Sequence, residues 1–130
     1  MTPREILLID DKPQGLRQIE GAIPSDRRHL YAVQHVPSIA DYRASGRGKV
    51  FMVMLDFFLD HDQTYGHTVA HEIQAEHLVG FSSMLEGSRA IVRAVEERAG
   101  YAGEPKLHAI QKLKGSDHNR DLCELFERIL

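Results

Sequence analysis

Short runs of apolar residues alternate along this chain with segments in which apolar positions recur every three or four residues. The first run predicts a strand over residues 5–9 that ends in Asp10-Asp11. Pro13 then starts a helix with Leu16, Ile19 and Ile23 on one face, closed by Pro24. A second strand is expected over 30–36, and Pro37-Ser38 opens a short helix that carries Ile39 and Tyr42 and stops at Gly46 and Gly48. The run at 50–55, Val-Phe-Met-Val-Met-Leu, has no polar position. That is the pattern of a central strand covered on both faces, and it delivers Asp56 to the strand's carboxyl end. A polar loop at 60–65 leads to Gly66 and a third helix in which Val69 and Ile73 lie one turn apart. Residues 78–81 predict a fourth strand ending at Ser82-Ser83, and Ser83 with Glu86 has the spacing of a capping box for a helix through Ile91 and Val95. Gly100, Gly103 and Pro105 mark a loop before a fifth strand at 107–111. Gly115-Ser116 is the start signal for a last helix with Leu122, Leu125, Phe126 and Ile129 as its apolar stripe.

Five strands alternating with five helices predict an α/β fold: a doubly wound, five-stranded parallel sheet of flavodoxin-like order 2-1-3-4-5, with right-handed crossovers. The 130 residues suit a single domain, 1–130. No apolar run is long enough to span a bilayer, and the first is too short for a signal-peptide core, so a cytoplasmic chain without membrane attachment is expected. A net charge of -3 with both signs mixed offers no broad basic field, and direct nucleic-acid binding is not expected. The lone Cys123, beside Leu122 and Leu125, cannot form an internal disulfide and is expected at a buried helix edge.

Ligand sites in doubly wound sheets lie outside the carboxyl ends of the strands, so the polar residues there are the candidates: Asp10, Asp11, Asp56, Ser82 and Lys112. Three carboxylates in one crevice repel each other and raise each other's pKa unless a cation compensates, and hard oxygen ligands favour Mg2+ or a similar divalent ion. An aspartate carboxylate can also attack phosphorus, while a hydroxyl and an ammonium aimed at the same place stabilise the equatorial oxygens of a transferring phosphoryl group. Blander readings exist for each residue. Asp10-Asp11 can cap the first helix, and Lys112 can be a solvated strand-end lysine. His67 and His71 have the i, i+4 spacing of a zinc pair, with Asp60, His61 and Asp62 nearby, but no second ligand pair accompanies them and they are expected to be solvated.

Four segments in this order resemble the receiver domains of bacterial response regulators. Ile6-Leu7-Leu8-Ile9-Asp10-Asp11 is similar to their first strand, Met54-Leu55-Asp56-Phe57-Phe58-Leu59 to the phosphoacceptor segment, Val79-Gly80-Phe81-Ser82-Ser83 to the fourth strand, and Ile110-Gln111-Lys112-Leu113 to the fifth. The resemblance implies that Asp56 accepts a phosphoryl group. It makes Asp11 a direct Mg2+ ligand, Asp10 a ligand through water, and the Phe58 backbone carbonyl another ligand. Ser82 would bind the phosphoryl oxygen, and Lys112 would neutralise the acids and then pair with the phosphate. The implied donor is the phosphohistidine of a sensor histidine kinase or histidine phosphotransfer protein. The implied output is a downstream protein contact or dimer through the face of the fourth helix, fifth strand and fifth helix. Such a domain is not a conventional enzyme; it catalyses its own aspartyl phosphorylation and slow dephosphorylation.

Three departures from that pattern bear on function. Leu113 stands where the family usually has proline in a cis bond, and Ala109 stands at the usual switch aromatic, with His108 or Tyr101 as stand-ins unless the output takes another route. The stretch from Ser82 to Lys112 is long for the family, which predicts an extended fourth helix or an enlarged loop around 100–105. Phe58 and Met84, both apolar, occupy the positions that commonly tune water access, so slow autodephosphorylation is expected. The alternatives are a pseudo-receiver that binds partners without phosphorylation, and a magnesium-dependent phosphohydrolase. The latter needs an acid two residues after its nucleophile, where this chain has Lys12 or Phe58.

Overall fold

The computed structural model describes residues 2–130, with the side chain of His61 outside the described part. In chain order the elements are β1 (Arg4–Ile9), α1 (Gly15–Ala22), β2 (Tyr31–Val36), α2 (Ile39–Ala44), β3 (Val50–Leu55), a hairpin of β4 (Phe58–Leu59) and β5 (Thr64–Tyr65), α3 (Gly66–Val69), β6 (Ala75–Ser82), α4 (Leu85–Glu96), β7 (Lys106–Gln111) and α5 (Arg120–Ile129). The main sheet runs β2-β1-β3-β6-β7, all parallel, which is the predicted doubly wound order.

Alternation along the strands builds a core on each face. Leu7, Ile9, Val53, Leu55 and Leu78 point to one side, where Ile39 and Tyr42 of α2, Val69 of α3 and Ile91 and Val95 of α4 cover them. Ile6, Leu8, Met52, Met54, Val79 and Phe81 point to the other, against Ile19 of α1 and Leu122, Leu125 and Phe126 of α5. Cys123 lies half-buried against this second core, as expected. No helix among the described residues is long and apolar enough to cross a membrane.

Several local expectations are corrected. The third helix is a single turn, Gly66–Val69, followed by a 3-10 turn over Ala70–Glu72. Val69 and Ile73 are both buried, but Ile73 is already extended because the chain is entering β6. That strand starts at Ala75, three residues before the predicted strand, because Ala75 pairs with Val50 and is itself buried. The predicted polar loop at 60–65 supplies the turn and the second strand of the β4–β5 hairpin, with Phe58 paired to Tyr65.

Both predicted serine starts fail. α4 begins after Met84 with no side-chain cap; Ser83 instead offers its carbonyl to Gln111 Nε2 at 2.9 Å, and Glu86 pairs with Arg89. α5 is capped by Asn119, whose Oδ1 accepts from Leu122 N at 3.2 Å, so Gly115-Ser116 belongs to the preceding loop. Ser38 does cap α2, accepting from Asp41 N at 3.0 Å. The extra length between Ser82 and Lys112 is loop rather than helix, since α4 ends at Glu96 and β7 starts at Lys106.

The buried Asn119 also donates Nδ2 to Gln18 Oε1 and to the Gln111 carbonyl, each at 2.8 Å. Asn119→Ala is therefore expected to cost about 2 kcal/mol in urea unfolding, from a lost cap and the unpaired buried groups it leaves. Ser116→Ala is expected to cost less than about 0.5 kcal/mol, as an exposed loop substitution. The reverse ranking would restore Gly115-Ser116 as the helix start.

Candidate functional site

Parallel register brings the acids together. Ile9 and Leu55 are register partners at the ends of β1 and β3, so the next residues, Asp10 and Asp56, leave the sheet side by side, and Asp56 N donates to the Ile9 carbonyl at 3.1 Å. Asp10, Asp11 and Asp56 each present a carboxylate oxygen to one place, all within 4.8 Å of one another. Asp10 is fully buried and Asp56 nearly so, while Asp11 is half-buried. Among the described residues this is the one cluster of acids, histidines or cysteine with metal-holding geometry; His67 and His71 do not join it, and the His61 side chain lies outside the described residues.

Burial, followed by the repulsion of Asp56, pushes the Asp10 carboxyl up to about 6, against the opposing pull of the Lys112 ammonium. Asp56 is also raised, chiefly by burial, with Lys112 pulling the other way. Backbone donors hold both acids in place: Lys12 N donates to Asp10 Oδ1 at 3.0 Å and Phe57 N to Asp56 Oδ1 at 2.9 Å. His35 on β2 donates Nε2 to the Asp10 carbonyl at 2.6 Å, a contact the sequence did not signal.

Lys112 follows the end of β7, its N–H donating to the Ser82 carbonyl at 2.8 Å. Its ammonium lies 2.5 Å from Asp10 Oδ2 and 3.7 Å from Asp56 Oδ2, largely shielded from solvent. A solvated strand-end lysine is thereby excluded. The cis proline bond of this chain is at Glu104–Pro105 and the Lys112–Leu113 peptide is trans. The loop after Lys112 is held instead by Gln18 of α1, which bonds both the N–H and the carbonyl of Leu113.

Ser82 ends β6 with its Oγ buried and accepting from Met84 N at 3.3 Å. No hydrogen bond joins it to Asp56 among the described residues. Its N–H donates to Ser88 Oγ at 2.9 Å, and Ser88 donates onward to the Ile110 carbonyl at 2.8 Å, fixing the first turn of α4 to β6 and β7 together. Phe58 opens β4, two residues beyond Asp56, with its ring half-exposed and edge-on to Tyr65 at 5.3 Å. Phe57 is a ring the sequence reading passed over. It stacks on His67 at 5.0 Å and 9°, and its Cβ and Cγ fill the space a side chain at Gly87 would need, since a Cβ there would lie 2.8 Å from Phe57 Cβ and 3.1 Å from Ser82 Oγ.

Neither expected stand-in for the switch aromatic can serve. Ala109 pairs with Gly80 on the α4 side of the sheet, so the preceding residue, His108, points to the α5 side, where it pairs with His77 at 3.1 Å. Tyr101 is tied to the Pro105 carbonyl at 2.7 Å, before β7 begins and thus at the opposite end of the sheet from Asp56.

No family model matches the sequence, and no curated protein matches it. Solved structures do match in fold. A response regulator from Thermotoga maritima superposes with a TM-score of 0.58 over 99% of this chain and 95% of its own, at 16% identity. A fusion of the trimeric coiled coil of yeast Spc42, amino acids 181–211, to another protein superposes with a TM-score of 0.59 over 98% of this chain and 76% of its own, at 14% identity. The chain thus shares the doubly wound fold of that response regulator over nearly its whole length.

The raised acids set a pH dependence. An unfolded Asp10 releases its proton near 3.8 and the folded one near 6, so in this window the folded state binds more protons and this group's contribution to stability falls as pH rises. His108, lowered to about 4 by burial and by His77, has the opposite slope, losing stability as pH falls from about 6.5 toward 4. Comparing wild type with Asp56→Asn at each pH cancels the histidine contribution. The variant, which removes one repelling charge while Lys112 keeps Asp10, is expected to melt about 4 °C higher at pH 7.5 in EDTA, equivalent to roughly 1 kcal/mol. Near pH 4 the gain should shrink toward zero. A lower melting temperature for the variant at pH 7.5 would show that the carboxylates do not strain the fold.

Proposed function

We propose that residues 1–130 are a phosphoacceptor receiver domain in which Asp56 takes a phosphoryl group and the resulting change in surface alters a protein–protein contact. The observation that carries this reading is the Lys112 ammonium 2.5 Å from Asp10 and 3.7 Å from Asp56, inside a crevice where three carboxylates converge at the carboxyl ends of parallel strands. The fold of the Thermotoga maritima response regulator supports it.

The donor set of hard carboxylate oxygens, with raised acid pKa values that a cation would relieve, fits Mg2+. Asp10, Asp11 and Asp56, with the Phe58 carbonyl, are the residues that would hold the ion, which supplies charge neutralisation for an incoming phosphoryl group. Asp56 then attacks the phosphorus of a phosphohistidine: a P–O bond forms, the P–N bond breaks, and the imidazole leaves with the electron pair and takes up a proton. Lys112 pairs with the phosphoryl oxygens, and Ser82 turns its hydroxyl to them, giving up Met84 N. The partners this implies are a sensor histidine kinase or histidine phosphotransfer protein upstream and a protein contact through the α4–β7–α5 face downstream, in the cytoplasm. A pseudo-receiver, acting without phosphorylation, is the second reading, favoured by Ala109 and by the absence of a substitute ring on its side of β7.

Incubation with Mg2+ and acetyl phosphate, followed by intact-mass analysis, is expected to give one phosphate adduct that requires the metal and is absent in Asp56→Asn. Lys112→Ala should slow its formation by a hundredfold or more, on the order of other losses of a preorganised charge at a transferring group. Once formed, the adduct should decay slowly, because Phe58 and Met84, half-exposed or more at the rim, offer water no polar guide. A folded, Mg2+-replete protein that takes no phosphate from acetyl phosphate or a phosphohistidine donor would establish the pseudo-receiver reading instead.

A further inference from the structure

Gln18 lies on α1, 95 residues before Leu113, yet its amide is almost completely buried and all its hydrogen-bonding capacity is spent on the segment after Lys112. Its Nε2 donates to the carbonyls of Leu113 at 2.5 Å and Ser116 at 3.1 Å. Its Oε1 accepts from Leu113 N at 3.1 Å and from Asn119 Nδ2 at 2.8 Å. Asn119 in turn holds the Gln111 carbonyl at 2.8 Å, so the residues on both sides of Lys112 are tied to one pair of side-chain amides. One turn earlier on α1, Gly15 lies beside the lysine stem: a Cβ there would be in ordinary contact with Lys112 Cδ at 3.5 Å and tight against the Phe81 ring at 3.0 Å. Positions 15 and 18 share a helix face.

We infer that Gln18 is a positioning residue for Lys112, clamping the backbone at Leu113 so that the lysine stem passes over Gly15 and its ammonium reaches Asp10 and Asp56. A flexible lysine has many rotamers, and a backbone left free at residue 113 would let the ammonium sample positions too far from the acids to neutralise them. Leu113 N–H is an essential part of the clamp, and a proline cannot supply it. The conformational work often assigned to a proline after a strand is done here by a buried amide on a different element, and the two solutions exclude each other. In its catalytic consequence this inference rests on the phosphoacceptor reading; in its structural content it does not.

The test separates the two. In nitrogen-15 spectra of the metal-free protein at low temperature, the Lys112 ammonium, held at 2.5 Å by Asp10, should give a protected signal in wild type and in Leu113→Ala, which keeps the N–H. The signal should be lost in Gln18→Leu and in Leu113→Pro, with both variants still folded by their melting transitions. The same two variants should take phosphate from acetyl phosphate on the order of tenfold more slowly, a cost in the range of misplaced catalytic groups. Neither should slow it further when Lys112 is already Ala, whereas a merely structural defect would still add its effect there. A Lys112 signal and phosphorylation rate unchanged in folded Gln18→Leu would overturn the clamp. An ammonium signal that depends on Gln18, in a protein that takes no phosphate, would support the clamp while ending the phosphoacceptor reading.

Discussion

Three carboxylates cannot share one crevice without a cation nearby, and at the open end of this sheet the resident cation is the Lys112 ammonium. The strand register exists in a form that lets this happen. Asp10 follows Ile9, Asp56 follows Leu55, and Lys112 follows Gln111, whose register partner is Ser82. A slip of one residue in any of these pairings would turn every side chain of the strand to the opposite core and draw a charged one in from the strand end. The two cores set the register, and the charges at its end are what the register delivers.

Much of this was legible beforehand because apolar periodicity and strand-end chemistry are both local signals. The uninterrupted run at 50–55 identified the central strand, and Asp10, Asp11, Asp56 and Lys112 were visible as polar residues at the carboxyl ends of predicted strands. Their convergence followed from the doubly wound order once five strands had been counted. Ser82 was placed at the right strand end, although nothing local shows which way its hydroxyl turns.

What escaped the sequence reading depended on partners distant along the chain. The helix starts at Ser83 and Ser116 looked sound by spacing, but a serine near a helix start is a cap only if the backbone there already faces its hydroxyl. Ser83 is held by Gln111 of β7 instead, and Asn119 takes the capping role because the Gln18 and Gln111 contacts orient its amide. Gln18 reads in sequence as one more polar helix residue; it is buried only because the loop from 113 to 116 folds over it. The replacement aromatic failed for a simpler reason. His108 is adjacent to the required position, and on a strand adjacency means the opposite face.

The bare backbone of Gly87 has a consequence for how this chain can vary. Its hydrogen atom faces Phe57 and the Ser82 hydroxyl at distances that leave no room for a methyl group, while Phe57 itself leans on His67 and Tyr65. The residue after Asp56 and the third residue of α4 therefore cannot drift independently. A side chain at 87 would meet first the Cβ at 57, an atom every residue but glycine carries, so giving up the ring alone would not admit it; the backbones themselves must part, and the coupling is written by volume rather than by charge.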